Sequence, residues 1–500
     1  MMQAQTEGMN SSRGAHDGTY EIGLDFTLPE LGALLPADGR IEQQDTTRRS
    51  VYYDTAARDL LRQHLTLRHR TDETDLGWQL TVPADKTPTE VCVPSGDDDT
   101  VPEDLASWVA GVIGGEPVHP VITLTTARHT HRLLDRDARL LMQVTDDVVH
   151  GTVAGDGAVA TEWREITVEP GEIGDKKMVK ALRKSLTRSG GRPSRYPSTL
   201  SRALADRHHA DDHHTGDGDA DTSPSTAARL LTDYLEAQVQ AIVAGDVWLR
   251  RGLDPVHPTR VAIRRFRSTL RVFKNLFEPT ATATLEAELS WYAGVLGEVR
   301  DRQVQRVRFA HAVAALPSEL VMGPVAARIE EDLLAEQLHH LAEVRTTLNG
   351  ERYRTLLATL ARWRTAPPLT DAATDPGVIR AALRRAERKA LKRVSVAAEG
   401  SDEEALHRAR KAAKRARYAA ELARPVLGKK KARKKVARYK TMQEVLGEHQ
   451  DSVVAAGILR GLGARAGATP GENGFTFGLL YGLELQAARQ ARLDAARLVV

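Results

Sequence analysis

The C-terminal half of the chain repeats itself at a fixed separation of 150 residues. His257, Arg260, Arg264, Arg265 and Arg267, within VHPTRVAIRRFR, return as His407, Arg410, Lys414, Arg415 and Arg417, within LHRARKAAKRAR. Leu296-Gly297-Glu298 and Asp301 return as Leu446-Gly447-Glu448 and Asp451, and Val304 returns as Val454. No gap interrupts the correspondence. A segment duplicated in this way is one supersecondary unit present twice, and two such units together bury apolar surface that one alone exposes. The surrounding sequence is rich in Ala, Leu, Arg and Glu, with apolar residues three and four apart, which predicts helices. We expect two units of about four helices each, at residues 226–350 and 376–500.

Each residue advances about 100° around a helix. His257, Arg260, Arg264, Arg267 and Arg271 are separated by steps of 3, 4, 3 and 4, so they form one cationic stripe. Ile263, Phe266, Leu270, Phe273 and Phe277 cover the opposite face. The second copy places His407, Arg410, Lys414 and Arg417 in the same way. There Ala409, Ala413, Ala416 and Ala420 replace bulkier apolar groups, which predicts closer packing. A solvated helix face usually mixes signs, because like charges at i,i+4 are destabilising. Neither stripe meets an acid before Glu421, and that pattern points to a bound polyanion. Lys274 and Lys411 join Arg265 and Arg415 as flanking contacts. Residues 429–440 (KKKARKKVARYK) add eight cations on a further helix, with Lys430, Lys434 and Arg438 as candidate contacts.

The whole chain carries a formal charge of only +3, which hides a division: residues 1–224 sum to −13 and residues 225–500 to +16. The second half should therefore attract anions and the first repel them unless it has a special pocket. Nucleic acid is the rival ligand. Single-strand binders rely on aromatic stacking platforms, yet aromatics make up 5% of the chain, and Phe266 and Phe273 lie on the core side. No groove-entering motif for duplex recognition is present.

The first half has a different rhythm. Apolar residues alternate with polar ones at 20–28, 50–53, 65–70, 77–82, 90–93, 121–134, 139–149 and 159–168, and the GDG at 155–157 signals a hairpin. Eight strands with short helices suggest a closed antiparallel barrel. Between the halves, RHHADDHHTGDGDADTSPS has no apolar period and reads as a linker over 206–225. Its His208, His209, His213 and His214 are read as incidental linker residues, since nothing orders them as ligands. Residues 1–18 read as a disordered N-terminus. A single cysteine, Cys92, allows no intrachain disulfide and fits a reducing compartment. No apolar run approaches the ~20 residues that span a bilayer. A cytoplasmic protein without membrane contact is expected; oligomeric state is open.

The paired motifs of the second half resemble those of a CHAD domain over about residues 227–500. The resemblance implies two pseudo-symmetric four-helix units with basic faces, and inorganic polyphosphate as the partner. It also implies an association with polyphosphate granules. No cofactor is needed for such binding. The first half, about 19–205, resembles a CYTH domain, the triphosphate-tunnel fold, through YYDT at 52–55, LTLRHR at 65–70, GWQLTVP at 77–83 and WREITVE at 163–169. Active CYTH domains process triphosphates in an antiparallel β-barrel, with carboxylates holding Mg²⁺ or Mn²⁺ and Arg or Lys holding phosphates. On that resemblance Arg68, Arg70 and Arg128 are the phosphate contacts, and Glu21, Asp147, Glu165 and Glu169 the metal ligands. Several family positions depart from the pattern: the first strand reads Glu21-Ile22-Gly23-Leu24-Asp25, and Thr81, Pro88, Cys92, Gln143 and Thr167 stand where charged groups are usual. The combined expectation is an α+β chain that binds polyphosphate through its helical half, beside a degenerate, inactive tunnel. An active metal-dependent triphosphatase and a nucleic-acid binder are the alternatives.

Overall fold

The structure, a computed structural model, describes residues 18–498 except 37, 72–76, 85–87, 96–99, 154–159, 175, 197–198, 205–226, 376 and 400–401. The GDG hairpin, the four linker histidines and most of the N-terminal segment lie outside the described residues. The chain divides into two compact units, Met1–Ala220 and Asp221–Val500.

In the first unit, strands β1 (Thr19–Ile22), β2 (Arg40–Asp54), β3 (Thr66–Thr71), β4 (Gly77–Val82), β5 (Thr89–Val93), β6 (His119–Leu134), β7 (Leu140–Val153), β8 (Ala160–Pro170) and β9 (Arg192–Pro193) form one antiparallel sheet. Their order is β5-β4-β3-β2-β6-β7-β8-β1-β9. Helices α1 (Asp59–Arg62), α2 (Glu103–Ile113) and α3 (Lys176–Arg188) accompany it. Strand alternation decides which side chains meet which neighbour. On β8, Ile166 and Val168 join Leu133, Met142 and Val144 in a core closed by Val179, Leu182 and Leu186 of α3. Trp163, Glu165, Thr167 and Glu169 point to the other face. The sequence indicated β2 only over 50–53. The strand is far longer because Arg40 to Arg49, mostly exposed polar residues, pair in register with β6. Strand pairing, and not apolar alternation, defines that segment.

The second unit is all helical: α4 (Ala227–Arg250), α5 (Val256–Val272), α6 (Pro279–Ala314), α7 (Val325–Asn349), α8 (Glu351–Thr365), α9 (Gly377–Glu399), α10 (Glu403–Leu422), the single turn α11 (Arg424–Leu427), α12 (Lys429–Ala468) and α13 (Phe475–Arg497). The duplication reaches the helix boundaries. α4 and α9, α6 and α12, and α7 and α13 each begin 150 residues apart. Local chemistry fixes the starts. Glu278 accepts the backbone N–H groups of Thr280 and Ala281 with Pro279 in the first turn, and Asp402 accepts that of Glu404.

The apolar faces pack as their spacing demands. Ile263, Phe266, Leu270, Phe273 and Phe277 are all buried, as are Ala409, Ala413, Ala416 and Ala420. One core joins α9, α10, the first half of α12 and Ala495 at the end of α13. A second core mixes the copies: Phe309 and Val313 of α6 and Val325, Ile329 and Leu333 of α7 pack with Ala455, Leu459, Phe477 and Leu480 of α12 and α13. The long helix α12 thus serves both cores, and α6 joins the second. The buried Tyr353, Leu360 and Trp363 of α8 complete the first copy, with the Trp363 ring 6.1 Å from that of Phe266 and 5.8 Å from that of Phe277. Among the described residues no helix is long and apolar enough to cross a membrane.

Candidate anion-binding site

The two cationic helices, α5 and α10, pack against each other. Each lies beside the long helix of its own copy, and the repeated motif is built at that junction. Gly297 on α6 lets the Arg260 guanidinium cross the helix backbone: a Cβ there would stand 2.4 Å from Arg260 Nη1. Gly447 on α12 does the same for Arg410, with 3.4 Å to Arg410 Nη2. Arg260 Nη1 donates to the Ala293 carbonyl at 3.3 Å, and its Nη2 lies 3.8 Å from Asp301. Arg410 Nη2 donates to Asp451 at 3.3 Å. Leu296 and Leu446 anchor the motif in the core. Leu-Gly-Glu followed by Asp is therefore a cradle that holds one arginine in each copy.

The cradle brings the stripes together around Lys414. This half-buried ammonium is pushed down to about 7, first by burial and then by the charges of Arg410, Arg264 and Arg260, against which Asp451 acts. His257 is held below its usual range by burial and by Arg300, Arg264 and Arg260. His407 is lowered by burial and by Lys411, Arg410 and Lys414. The Nε groups of Arg264, Arg267 and Arg410 are buried without a hydrogen-bond acceptor among the described residues. Such donors carry a free-energy cost until an acceptor arrives.

The stripes are less bare of acids than the helix sequences alone suggest. Asp301, Asp451 and Glu286 come from α6 and α12, and Glu286 accepts from Arg271 and lies 3.8 Å from Arg267. Arg265 belongs to the packing between the helices: its Nε donates to Glu421 at 3.1 Å, and Arg417 Nε donates to the same carboxylate at 3.2 Å. Both guanidiniums also lie over the Tyr418 ring. Lys274 sits exposed in the turn after α5. Lys430, Lys434 and Arg438 are exposed on α12, and none is among the leading charges acting on Lys414 or Arg415.

In the sheet unit, the residues expected in the tunnel form a cross-strand row. Register places Arg128 (β6) beside Asp147 (β7), Asp147 beside Glu165 (β8), and Glu165 beside Glu21 (β1). Arg128 donates to both oxygens of Asp147, at 2.7 and 2.6 Å. Glu165, whose carboxyl is pushed up by burial, accepts from Trp163 Nε1 at 3.1 Å and Arg202 at 3.4 Å. Glu21 accepts from Ser194 and the Arg195 backbone. Glu169 lies two positions along β8 from Thr167, opposite Gln143. Arg68 is held by Gln79 at 2.8 Å and Glu90 at 3.0 Å, while Arg70 is on the same strand, β3.

The profile of the CHAD domain matches residues 233–460. Along the whole chain, the uncharacterized protein MT2285 of Mycobacterium tuberculosis (strain CDC 1551 / Oshkosh) is 33% identical over 482 residues, covering 91% of this chain and 90% of the relative. The chain belongs to the CHAD-domain family. The CHAD domain of the plant Ricinus communis, in its crystal structure, is 27% identical and covers 57% of this chain and 96% of its own, with a TM-score of 0.46. A Bacillus halodurans protein described as a candidate adenylate cyclase is 13% identical and covers 33% of this chain and 95% of its own, with a TM-score of 0.20.

Three CHAD-unit cations escaped the sequence reading: Arg300 presses on His257, Arg393 presses on Arg415, and Lys389 is itself lowered by Arg393 and Arg415. Lys389 and Arg393 lie on α9, a helix outside the matched motifs, although their spacing of four was visible. The Gly297 cradle also yields a test. Alanine is favoured over glycine inside a helix by ~1 kcal/mol, so Gly297→Ala is expected to leave the melting temperature unchanged or raise it. Its methyl would displace the Arg260 guanidinium and weaken polyanion binding several-fold. Gly447→Ala, with more room, would weaken it less. Anisotropy with long-chain polyphosphate as the probe, beside thermal melts, checks both.

Proposed function

We propose that this protein binds inorganic polyphosphate across the α5–α10 cluster and that its sheet unit is a degenerate, non-hydrolysing CYTH domain. The observation that carries the reading is Lys414, held among Arg260, Arg264 and Arg410, with its ammonium pushed down to about 7 by burial and then by those charges. A fold that keeps like charges so close gains free energy when a polyanion enters. Cations three and four residues apart on two adjacent helices form a ladder that a flexible phosphate chain can follow. Arginine offers paired donors to its oxygens and lysine a point charge. The CHAD membership and the motif resemblance support polyphosphate among polyanions.

Inactivity of the sheet unit is supported by its donor set. Both Asp147 oxygens are taken by Arg128, and Glu165 and Glu21 accept from protein donors. A divalent metal needs several oxygen ligands converging on one point, and here it would have to displace an arginine to reach Asp147. The residues present do not fit that role, and no hydrolytic step is derived from them.

Two measurements test the reading. Polyphosphate is expected to outcompete single-stranded RNA of equal charge by at least tenfold at matched salt, which must be fixed because both ligands bind by counterion release. Equal competition would favour the nucleic-acid alternative. Tripolyphosphate with Mg²⁺ or Mn²⁺ is expected to release no phosphate; release abolished by Glu165→Gln would establish the triphosphatase instead.

A further inference from the structure

The two CHAD copies are not equivalent where α5 and α10 cross. The 150-residue offset maps Arg265 onto Arg415, Arg267 onto Arg417, and Arg271 onto Glu421. On one side of the crossing, Glu421 accepts from both Arg265 and Arg417. On the other, an arginine occupies the place of the acid, so Arg415 faces Arg271 where Arg265 faces a carboxylate. Arg415 is accordingly lowered by burial and by Arg271, Arg393 and Arg267, with Glu286 the one acid among its leading neighbours. Glu286 already serves Arg271 and Arg267.

The surplus extends onto α9. Lys389 is lowered by Arg393, Arg415 and Lys274, so four cations from three segments converge. Beside them, between α9 and α10, a cavity of about 230 Å³ is lined by Lys389, Lys392, Arg393, Val396, Ala405 and Arg408. Of these, Arg408 is neutralised by Asp402 and Glu404.

We infer that this broken-symmetry corner, formed by Lys389 and Arg393 at the cavity with Arg415 and Lys274 beside them, is a second anion site selective for a dianionic phosphate group. That chemistry has two sources, a free phosphate ion and the terminus of a polyphosphate chain, since an end group carries a second negative charge that an internal phosphate lacks. The concentration of cations, with Glu286 the one acid among the leading neighbours of Arg415, favours the more highly charged group. Where the source is the polymer, the inference rests on the polyphosphate reading above and adds a polarity to it: one chain end is seated at the α9–α10 corner while the body runs along the motif stripes.

The experiment uses the full-length protein and three probes at fixed ionic strength: polyphosphate with free ends, the same length with both ends converted to phosphoramidates, and orthophosphate. Wild type is expected to bind the free-ended chain about fivefold to tenfold more tightly than the blocked one. The Lys389→Ala/Arg393→Ala protein is expected to bind the two equally. A melting-temperature rise with orthophosphate that the double variant lacks would assign the corner to the free ion. An end preference without that rise would assign it to the chain terminus. Equal affinity for both polymers in wild type, with no variant-dependent response to orthophosphate, overturns the inference. If neither polymer binds wild type, the polyphosphate reading fails by itself, and the orthophosphate arm still decides the corner.

Discussion

Replacing Arg264 and Lys414 together with glutamate is expected to weaken long-chain polyphosphate binding by roughly a hundredfold or more at about 0.1 M salt, because the central cluster changes by four charges. That corresponds to ~2.7 kcal/mol of binding free energy. The protein should remain folded and melt no earlier than wild type. Lys414 is pressed by Arg410, Arg264 and Arg260, so a carboxylate in its place replaces repulsion by attraction. The opposite sign of the two effects is the informative part. A residue whose removal weakens binding through unfolding lowers both together. Arg265→Glu supplies the contrast: it sets two acids face to face at Glu421 and removes a guanidinium from Tyr418, so its first effect is a lower melting temperature. Lys430→Glu, on the exposed face of α12, should change affinity only a few-fold. Polyphosphate binding within threefold of wild type by the Arg264→Glu/Lys414→Glu protein, measured by anisotropy, would remove the cluster from the proposed function.

Much of this arrangement was legible in the residues because the chain is duplicated. The constant offset marks corresponding motif residues, and three pairs of helices begin 150 residues apart as well. The cationic and apolar faces of α5 and α10 follow from spacing alone. What spacing cannot report is the partner brought by another element. Asp301 and Asp451 were visible as motif residues, but their place beside Arg260 and Arg410 depends on how α6 and α12 cross the basic helices. Glu286 is one of several acids on a long helix until packing sets it against Arg271. Lys389 and Arg393 matter only where α9 meets α10. In the sheet unit the limit was the reverse. β2 is held by pairing along β6 over residues with little apolar signal, so its first ten residues escaped notice. The row Arg128, Asp147, Glu165 and Glu21 emerges from strand register, which sequence alternation leaves undetermined.

Binding is expected to take up a proton, and the affinity for long-chain polyphosphate to fall about tenfold between pH 6.5 and pH 8.5. In the free protein Lys414 titrates near 7, well below the 10.5 of an ordinary lysine. Between those two values the unfolded chain holds the proton and the folded protein does not, so the stability of the free protein rises with pH across that window and is lowest below pH 7. A bound polyanion works against the depression, because its negative charge offsets Arg260, Arg264 and Arg410, whose charges add to burial in lowering the ammonium. The lysine is then protonated in the complex at pH values where it is neutral in the free protein. Linkage makes the affinity fall as pH rises past 7, with a limiting slope of one decade per pH unit for a single group. His257 and His407 are both held below the usual histidine range, by burial first and then by neighbouring cations. Lys414→Arg isolates the effect. Its guanidinium stays charged throughout, so the variant should bind with less than a twofold change over the same range. Calorimetry in two buffers of different ionisation enthalpy reads the proton uptake directly. An equal pH slope in wild type and Lys414→Arg would place the titrating group elsewhere and remove Lys414 from the anion site.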